Sequence, residues 1–526
     1  MNWNFPHPSQ RMPLLADNVV ATSQPLAAQA GVQALAQGGN VVDAVVAAAA
    51  ALTIVEPVMN GLGSDAFAML WDGKELAALN ASGRSPQAWT PQRFAGRERM
   101  PTEGWDSVTV PGAVSAWIEL WRKHGSLPLD RLFAPAIRYA TEGFAVSPRV
   151  ARQWAGQAAR LAKQPGFADT FLPQGRAPRA GERFRFPAAA QSLACIAASE
   201  GRDFYEGEIA QAIVAHARAH GGALSLDDLA SHRPEWVEPL RLGYRGAEVL
   251  ELPPNGQGIS VQIALGILQH FDLSAAVPQA TRMHLQIEAM KIAFADVYQW
   301  VTEPAAMPMR VQDLLDPAYH AQRARSIDPK RAQPWTARPL PPGNTVYIAA
   351  ADAQGRLVSY IQSNFQGFGS GVVVPEVGVS LLNRGAGFSL DPSHPNHVAG
   401  GKRPFHTTIP AMLVRDGRPL AAFGVVGADM QPQGQVQVAS DLLDREANPQ
   451  AALDAPRWRI AEEDGRIRLE AGLSAAVASE LASYGHRVEV ADPASIEFGG
   501  GQLVLRLGDT WAGASDFRRD GCAAGF

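Results

Sequence analysis

The sequence predicts a mixed α/β (α+β) fold in which helices cover β-sheet, and three stretches of the chain support this prediction. Residues 25–37 and 44–55 are rich in small apolar residues and have the pattern of helices, the second buried on most faces. Residues 128–327 are mainly helical in pattern. From residue 345 onward, strand-like and helical segments are mixed, which is typical of a sheet covered by helices.

The composition excludes several classes of protein. The 526 residues are 46% hydrophobic and 18% charged, as in an ordinary globular protein, and the formal net charge is only −5. So small a charge gives no electrostatic reason to expect nucleic acid or a membrane surface as a partner. The first residues contain no basic segment followed by an apolar core, and the most apolar run, 44–55, is too short to cross a bilayer. We therefore predict a cytoplasmic protein.

The residues that could bind a metal are few. Cys195 and Cys522 lie far apart, and two cysteines supply neither a disulfide framework nor a cysteine metal site. His394 and His397 lie in a stretch, 391–397, that two prolines make a rigid turn, and no acidic residue has the helical spacing of a ligand. We predict no metal and no cofactor.

The elements of the first part of the chain are predicted from local patterns. Gly38 and Gly39 end the first helix, and a Gly-rich turn at 56–65 leads into a strand at 66–71. A tight connection is the preferred interpretation of that turn, and an anion-binding loop is the alternative. Apolar residues three or four positions apart predict a helix over 282–301. His284, beside that apolar stripe, is interpreted as a capped or surface histidine.

A Pro-rich stretch, 328–344, separates the helical region from the last third of the chain. It holds five prolines and no apolar periodicity, so we expect an exposed, extended connection. It is either an interdomain linker or an accessible processing segment. After it, a hairpin is predicted from strands 345–351 and 357–363 around a turn. The later elements are predicted as strands 412–415, 420–426 and 503–507 and helices 436–444 and 475–484.

Thr345 stands where a self-activating nucleophile would be useful, at the start of the hairpin and directly after the Pro-rich stretch. A threonine hydroxyl is a poor nucleophile at neutral pH and needs a nearby base. Cutting the bond between Asn344 and Thr345 would free the α-amino group of Thr345, whose reference pKa of roughly 7.7–8.0 suits a general base. Alone, a threonine after an asparagine is a weak signal, so the surrounding motifs decide its meaning.

Nearly the whole chain resembles the γ-glutamyltranspeptidase family. The motifs that carry the resemblance, loose one by one but specific in their order and spacing, are GGNVVDA (38–44), VEP (55–57), SVTVPGA (107–113), GNT (343–345), KRP (402–404) and DAPR (454–457). Members are N-terminal-nucleophile hydrolases, made as one precursor that cleaves itself into two subunits. The resemblance implies a four-layer αββα sandwich shared by a large subunit, 1–344, and a small subunit, 345–526, with cleavage at Asn344-Thr345. It leaves open a dimer of this unit.

The resemblance also implies further site residues. Acyl transfer through the Thr345 hydroxyl needs backbone donors for the oxyanion, and the family's Gly-Gly turn corresponds to Gly427 and Ala428. An ordinary turn at the end of a strand is the alternative. The family's carboxylate-binding arginine corresponds to Arg84, whose planar fork suits a carboxylate, and a structural arginine is the alternative there. The loop 364–371 is expected to line the pocket, with Asn364 as a polar contact.

The chain departs from the family pattern around the acyl pocket. The family's Asn-Gln-x-Asp-Asp-Phe-Ser run corresponds to 383–389, where the acid that holds a substrate ammonium has become Gly387 and a neutral glutamine has become Arg384. A lost anion and a gained cation disfavour a cationic substrate group. The serine pair after the KRP motif is replaced by His406 and Thr407, and the threonine after the nucleophile is replaced by Val346.

These departures predict a small-molecule amide substrate whose acyl group carries a carboxylate and no ammonium. The chain looks most like the cytoplasmic branch of the family that includes oxamate amidohydrolases, so we expect hydrolysis of oxamate to oxalate and ammonia. The predicted substrate-binding residues are Arg84, Asn364, Arg384, His406 and Thr407. The alternatives are a γ-glutamyl hydrolase or transpeptidase acting on glutathione, a cephalosporin-acylase-like amidase, and an uncleaved, non-catalytic binding protein on the same fold.

Overall fold

A computed structural model describes residues 10–337, 343–461, 463–493 and 495–526. Part of the Pro-rich stretch, 338–342, and the first nine residues of the chain lie outside the described residues, so the predictions made for them are not addressed. Among the described residues, no helix combines the length and the apolar character that crossing a membrane requires.

The strands, in chain order, are β1 (Leu14–Ala16), β2 (Val19–Thr22), β3 (Asp65–Trp71), β4 (Leu76–Asn80), β5 (Phe144–Ala145), β6 (Arg183–Phe184), β7 (Glu235–Val237), β8 (Leu240–Tyr244), β9 (Ala247–Glu251), β10 (Asn344–Ala351), β11 (Leu357–Phe365), β12 (Val373–Val374), β13 (Val379–Ser380), β14 (Ala411–Arg415), β15 (Arg418–Val426), β16 (Trp458–Ile460), β17 (Ile467–Leu469), β18 (Val488–Val490), β19 (Gly500–Leu507), β20 (Thr510–Ser515) and β21 (Cys522–Gly525).

The α-helices are α1 (Pro25–Ala36), α2 (Val41–Val55), α3 (Ala113–His124), α4 (Leu129–Glu142), α5 (Pro148–Leu161), α6 (Phe167–Phe171), α7 (Pro187–Ser199), α8 (Arg202–Glu206), α9 (Glu208–Ala219), α10 (Leu226–Ala230), α11 (Ile259–Leu268), α12 (Gln279–Trp300), α13 (Val311–Leu314), α14 (Pro317–Arg325), α15 (Met430–Leu443), α16 (Pro449–Asp454) and α17 (Ala475–Ser483).

Two antiparallel seven-stranded sheets form the centre of the molecule. Sheet I has the strand order β21-β2-β10-β11-β3-β4-β7, and sheet II has the order β1-β20-β19-β15-β14-β9-β8. They face each other across an apolar layer that includes Tyr347 and Ile361 from sheet I and Met412 and Val504 from sheet II. In β10 and β11 the residues that alternate with this layer point to the other face of sheet I, as the period of two in a strand requires.

Helices cover the outer face of each sheet. Ile348 and Ala350 of sheet I pack in one cluster with the apolar residues of α2, and Phe423 and Val425 of sheet II pack in another with α11 and α15. The order of layers is therefore helix, sheet, sheet, helix, and the four-layer αββα arrangement implied by the family resemblance is confirmed.

Both sheets contain strands from each side of the predicted cleavage site. In sheet I, β10, β11 and β21 follow residue 344 or begin at it, whereas β2, β3, β4 and β7 precede it. Sheet II is shared in the same way. Two subunits made by cleavage would therefore stay joined through backbone hydrogen bonds of both sheets. The subunit boundary itself stays a prediction.

Helix α2 begins three residues earlier than predicted because Asn40 caps it. The Asn40 side chain accepts hydrogen bonds from the amides of Val42 and Asp43, and the Asp43 carboxylate accepts one from the Asn40 amide, which makes a capping box. The Val41 amide donates to Asp352 in the turn between β10 and β11, at 3.1 Å. The cap thus connects α2 to the hairpin that carries Thr345.

Replacing Asn40 with alanine is expected to lower the free energy of unfolding by about 1–2 kcal/mol, because a helix loses its N-cap acceptor. Thermal unfolding of the purified protein measures this change. The exposed α1 residue Gln33 offers a control, since Gln33→Ala should shift stability by no more than about 0.5 kcal/mol. Equal effects of the two substitutions would contradict the role of the cap.

Two predicted features need correction, and a third is confirmed. The region 128–327 is mainly helical as predicted, although β7, β8 and β9 lie within it and contribute to both sheets. Helix α15 starts at Met430 rather than at 436, since its first turns are buried glutamines that give no apolar periodicity. His284 is fully buried in α12 rather than at the surface, and its Nε2 is 2.8 Å from the carbonyl oxygen of Asp328.

Candidate active site

Thr345 is the second residue of β10 and lies at an irregularity of the sheet. The pairing shifts from Asn344 opposite Phe365 to Val346 opposite Gln362, so β11 has one extra residue beside Thr345. The side chain is buried. Its Oγ1 lies 3.3 Å from Ser363 Oγ, to which it donates, and it accepts a hydrogen bond of 3.1 Å from Gln431 Nε2.

Ser363 connects the Thr345 hydroxyl with the peptide bond that is predicted to be cut. Its Oγ donates to the carbonyl oxygen of Asn344 at 2.6 Å and accepts from the amide of Phe365 at 2.7 Å. Since the single hydroxyl proton of Ser363 is used by Asn344, the Thr345 hydroxyl must be the donor between the two side chains. A directed chain of hydrogen bonds therefore runs from Thr345 through Ser363 to the carbonyl before Thr345.

The backbone before this peptide bond packs closely on Phe365. A Cβ on Gly343 would lie 2.7 Å from the Phe365 ring, so only glycine fits there without a shift. Phe365 itself has a φ of 77°, a left-handed conformation that is rare for an aromatic residue. Such strain is concentrated at functional sites, where the surrounding structure holds it in place.

Gly427 and Ala428 form a left-handed turn between β15 and α15. Their φ angles are 124° and 51°, and neither amide N–H donates a hydrogen bond to a described residue. The carbonyl oxygen of Ala428 accepts hydrogen bonds from the backbone N–H of Gln431 at 2.9 Å and from Gln257 Nε2 at 3.0 Å, and these two bonds fix the turn. Ala428 also packs against Phe365, the residue paired with Asn344. The two free amides are therefore held in the neighbourhood of Thr345.

Arg384 is a buried cation with unused hydrogen-bond donors. Its Nη1 donates to Thr407 Oγ1 at 2.9 Å, and its guanidinium carbon lies 4.5 Å from the centre of the Phe365 ring. Its Nε and Nη2 have no hydrogen-bond partner among the described residues. Burial lowers the pKa of the Arg384 guanidinium to about 9. A buried donor without a partner is costly, so these two groups are suited to receive an anionic ligand.

Asp65 and His406 form a fully buried pair next to this arginine. His406 Nδ1 accepts from the Thr408 amide at 3.2 Å, so its proton is on Nε2, which lies 3.1 Å from Asp65 Oδ2. Burial raises the pKa of the Asp65 carboxyl to about 7, against the opposing charge of Arg384. Burial, then the charges of Arg384 and Arg403, hold the pKa of His406 well below its ordinary value. His406 is therefore a neutral donor.

Arg84 has a different setting from Arg384. Its side chain is 40% exposed and pairs with Glu303 and, at 3.5 Å, with Glu235. Its Nη1 also donates to the carbonyl of Gly401 at 3.0 Å. Carboxylates thus already pair with the arginine that the family resemblance assigns to the substrate, and its role stays a prediction.

The remaining predicted residues differ in how close they come to the nucleophile. The Thr407 hydroxyl accepts a hydrogen bond from Arg384. The carbonyl oxygens of Thr407 and Ala428 both accept hydrogen bonds from Gln257 Nε2. Asn364 accepts from Ser64 Oγ at 2.7 Å, and its Nδ2 has no partner among the described residues. No described hydrogen bond joins Asn364 to Thr345, and its predicted contact with substrate stays a prediction.

Gly387 is a glycine for a steric reason. A Cβ at this position would lie 2.5 Å from the carbonyl oxygen of Phe405, a distance that real side chains do not show. An acidic side chain at the family position could not be accommodated without moving this backbone. The surrounding backbone therefore excludes an acidic side chain at this position.

Sequence reasoning missed Ser363, Gln431 and Asp65. None of them belongs to a motif with its own chemical signature, and each reaches the site through a partner distant in sequence. Ser363 could have been found from the hairpin, because the strand that returns after Thr345 must place its last residues beside the first strand.

One group of side chains has the composition of a metal site. His284, Glu288 and His486 place one nitrogen or oxygen each within 4.8 Å of one another. Their internal contacts account for the arrangement, since Lys291 Nζ bonds to Glu288 at 2.8 Å and the two imidazoles bond to each other at 2.8 Å. An ammonium group already occupies the carboxylate that a cation would need.

The chain is similar to known proteins over nearly its whole length. The sequence model of the family described as Gamma-glutamyltranspeptidase matches residues 27–526. The chain is 37% identical over 520 residues to the glutathione hydrolase-like YwrD proenzyme of Bacillus subtilis (strain 168), covering 96% of this chain and 98% of the relative. It is 38% identical over 515 residues to the oxamate amidohydrolase proenzyme of Klebsiella pneumoniae, covering 95% and 97%.

The fold is also found among solved structures. The crystal structure of cephalosporin acylase from Bacillus halodurans superposes with a TM-score of 0.96 at 44% identity, covering 100% of this chain and 99% of the acylase. The names of these three relatives give three different substrates, so the acyl group stays undetermined. What the relatives share is a family of hydrolases that act on amide bonds.

Proposed function

The chain belongs to the γ-glutamyltranspeptidase family, and from that premise we propose that it is a self-cleaving hydrolase of small amides that carry a carboxylate on the acyl side. Members of the family act on amide bonds, and this chain is a hydrolase of that class. The related chains are named as proenzymes, which is consistent with two subunits cut from one precursor. A cytoplasmic location stays a prediction.

The observation that carries the proposal is the hydrogen-bond chain from Thr345 to Asn344. In the precursor, Thr345 Oγ is one residue from the carbonyl carbon it would attack, and Ser363 already polarises that carbonyl. Attack would move the Asn344 acyl group from nitrogen to Oγ, and water would then hydrolyse the ester. The products are a chain that ends at Asn344 and a chain that begins with the free amine of Thr345.

In the mature enzyme the same hydroxyl would act on the substrate. The α-amine of Thr345 takes the hydroxyl proton while Oγ bonds to the amide carbon, and it passes that proton to the leaving nitrogen. The backbone amides of Gly427 and Ala428, which donate to no described residue, are the proposed donors to the oxyanion. Water then attacks the acyl-enzyme, the C–Oγ bond breaks, and Thr345 recovers its proton.

Arg384 is the feature that favours a carboxylate on the acyl group. Its Nε and Nη2, which have no partner in the described part of the chain, lie in a buried setting, where a charge-assisted hydrogen bond is strong. Gly387 leaves no room for an acid that would hold an ammonium group. Oxamate has the required carboxylate and lacks the ammonium, and we propose it as the substrate. The names of the relatives favour glutathione or a cephalosporin side chain as the second candidates.

Self-cleavage is tested on a denaturing gel. The purified wild-type protein should separate into fragments 1–344 and 345–526, and N-terminal sequencing of the smaller fragment should begin with threonine. The Thr345→Ala variant should remain one chain, since it has no hydroxyl to attack with. A wild-type protein that stays intact after prolonged incubation would favour the non-catalytic alternative.

The substrate is tested by comparing two reactions of the cleaved protein: the release of ammonia from oxamate, and the release of the leaving group from a γ-glutamyl amide. We expect kcat/KM for oxamate to be higher than kcat/KM for the γ-glutamyl amide. Turnover of glutathione far above that of oxamate would contradict the roles given to Arg384 and Gly387, and would leave the cleavage mechanism intact.

A further inference from the structure

Helix α15 carries four glutamines at alternate positions, and all four are buried. They are Gln431, Gln433, Gln435 and Gln437. A polar side chain buried in a helix must find partners, and Gln433, Gln435 and Gln437 find them in neighbouring backbone. Gln435 donates to the carbonyl of Ile409 at 2.7 Å, and Gln433 accepts from the amide of Ile460 at 2.6 Å. Gln437 both donates to and accepts from the Trp458 backbone. The rotation of α15 about its axis is thereby fixed.

Gln431 differs from the other three because one of its partners is the nucleophile. Its Oε1 accepts from the amide of Ile409 at 3.1 Å, and its Nε2 donates to Thr345 Oγ1 at 3.1 Å. The Ile409 amide can only donate, so the amide oxygen of Gln431 must face it. The NH₂ group must then face Thr345, which assigns the orientation of the amide without ambiguity.

We propose that Gln431 is a further catalytic residue, which donates a hydrogen bond to Thr345 Oγ and stabilises the negative charge that develops there. This inference rests on the proposed function of Thr345. In acylation the Oγ–H bond breaks as the Oγ–C bond forms, and in deacylation the electrons of the C–Oγ bond return to oxygen. Gln431 keeps its own protons in both steps, since it stabilises the charge and transfers nothing.

The same donation also directs the hydroxyl proton. With one lone pair of Oγ engaged by Gln431, the Thr345 proton points to Ser363, the direction that the hydrogen-bond chain requires. Without Gln431 the hydroxyl could rotate and donate elsewhere. We therefore expect both self-cleavage and turnover to depend on this amide, although Gln431 has no covalent role.

The test uses two substitutions at 431 and one matched control. Gln431→Met keeps the approximate size and removes the donor, and Gln431→Glu keeps the shape and replaces the donor with a carboxylate. Gln437→Met removes a buried glutamine from the same helix that has no described contact with Thr345. We measure the rate constant of self-cleavage, the kcat and KM of the cleaved protein with oxamate, and the midpoint of thermal unfolding.

Gln431→Met is expected to lower kcat and the self-cleavage rate constant by about 10²-fold, the typical effect of removing one such donor, with little change of KM. Gln437→Met should lower the unfolding midpoint by a similar amount and leave both rates near those of the wild type. In Gln431→Glu, acid should restore a donor by protonating the buried carboxyl. The ratio of its kcat to that of the wild type should therefore rise as pH falls, whereas the ratio for Gln431→Met should stay flat.

Two results would overturn the role of Gln431. One is a Gln431→Met protein that cleaves and turns over at the wild-type rate, and the other is equal loss of both rates in Gln431→Met and Gln437→Met. Failure of the proposed function is a separate outcome, because it would appear in the wild-type protein as absence of cleavage or of turnover. If Gln431→Met never cleaves while Gln437→Met does, kcat cannot be measured for Gln431→Met, and the difference in cleavage rate alone supports the inference.

Discussion

Replacing Ser363 with alanine is expected to slow self-cleavage of the precursor by at least about 10²-fold, the lower end of what positioned acid–base groups contribute. In the precursor the α-nitrogen of Thr345 is an amide and cannot act as a base. The Thr345 proton can instead move to Ser363 Oγ while the Ser363 proton moves to the Asn344 carbonyl oxygen. No full charge is then separated in the buried site, which lowers the barrier to attack.

The cleaved fraction of the chain, followed over time on denaturing gels, measures this effect. Ser363→Thr keeps a hydroxyl and should cleave at a rate close to that of the wild type. Ser359→Ala is the matched control, since Ser359 is a buried serine of the same strand whose hydroxyl bonds to Tyr347 at 2.7 Å. If Ser363→Ala cleaves as fast as Ser359→Ala, the proton must leave Thr345 by another route.

The main elements of the fold could be predicted because their signals are local. Glycines ended α1, and the turn at 352–356 set the hairpin of β10 and β11, whose observed bounds differ from the prediction by at most two residues. The first turns of α15 could not be found in this way. Their buried glutamines are satisfied by backbone of Ile409 and Ile460, and such contacts exist only once the chain has folded.

The site residues also fall into two groups: those that sequence signals predict, and those that only the folded structure distinguishes. The place of Thr345 was predictable from its own chemistry and the motifs around it, and the turn at Gly427 was predictable from the resemblance. The two arginines could not be ranked from sequence, because an arginine in a motif has the same signature whether or not carboxylates already pair with it. Glu303 and Glu235 distinguish Arg84 from Arg384, and they belong to separate parts of the chain.

Replacing Arg384 with methionine is expected to raise KM for an anionic amide such as oxamate by about 30-fold or more, since losing one partner of a buried charge pair costs at least about 2 kcal/mol. Arg84→Met should have a much smaller effect, because Arg84 is 40% exposed and already paired with two glutamates. Initial rates on cleaved protein of each variant give KM. A larger effect at Arg84 would place the substrate carboxylate there instead.

The neighbouring Asp65 predicts how KM depends on pH. The pKa of Asp65 is raised to about 7 by burial, so this carboxyl is mostly protonated at pH 6 and mostly ionised at pH 8. Once ionised, it attracts Arg384 and competes with the carboxylate of the substrate. KM for oxamate should therefore rise several-fold as pH increases through 7, and Asp65→Asn, which cannot ionise, should remove that rise.

The sign of this shift can be checked by a second measurement. Because the folded protein holds the Asp65 proton more tightly than the unfolded chain, whose carboxyl titrates near 3.8, stability should decrease as pH rises from about 4 to about 7. Asp65→Asn should flatten that part of the pH profile of the unfolding midpoint. If KM keeps its pH dependence in Asp65→Asn while the stability profile flattens, then Asp65 titrates as described but does not compete for Arg384. The pH dependence of KM would then belong to another titrating group.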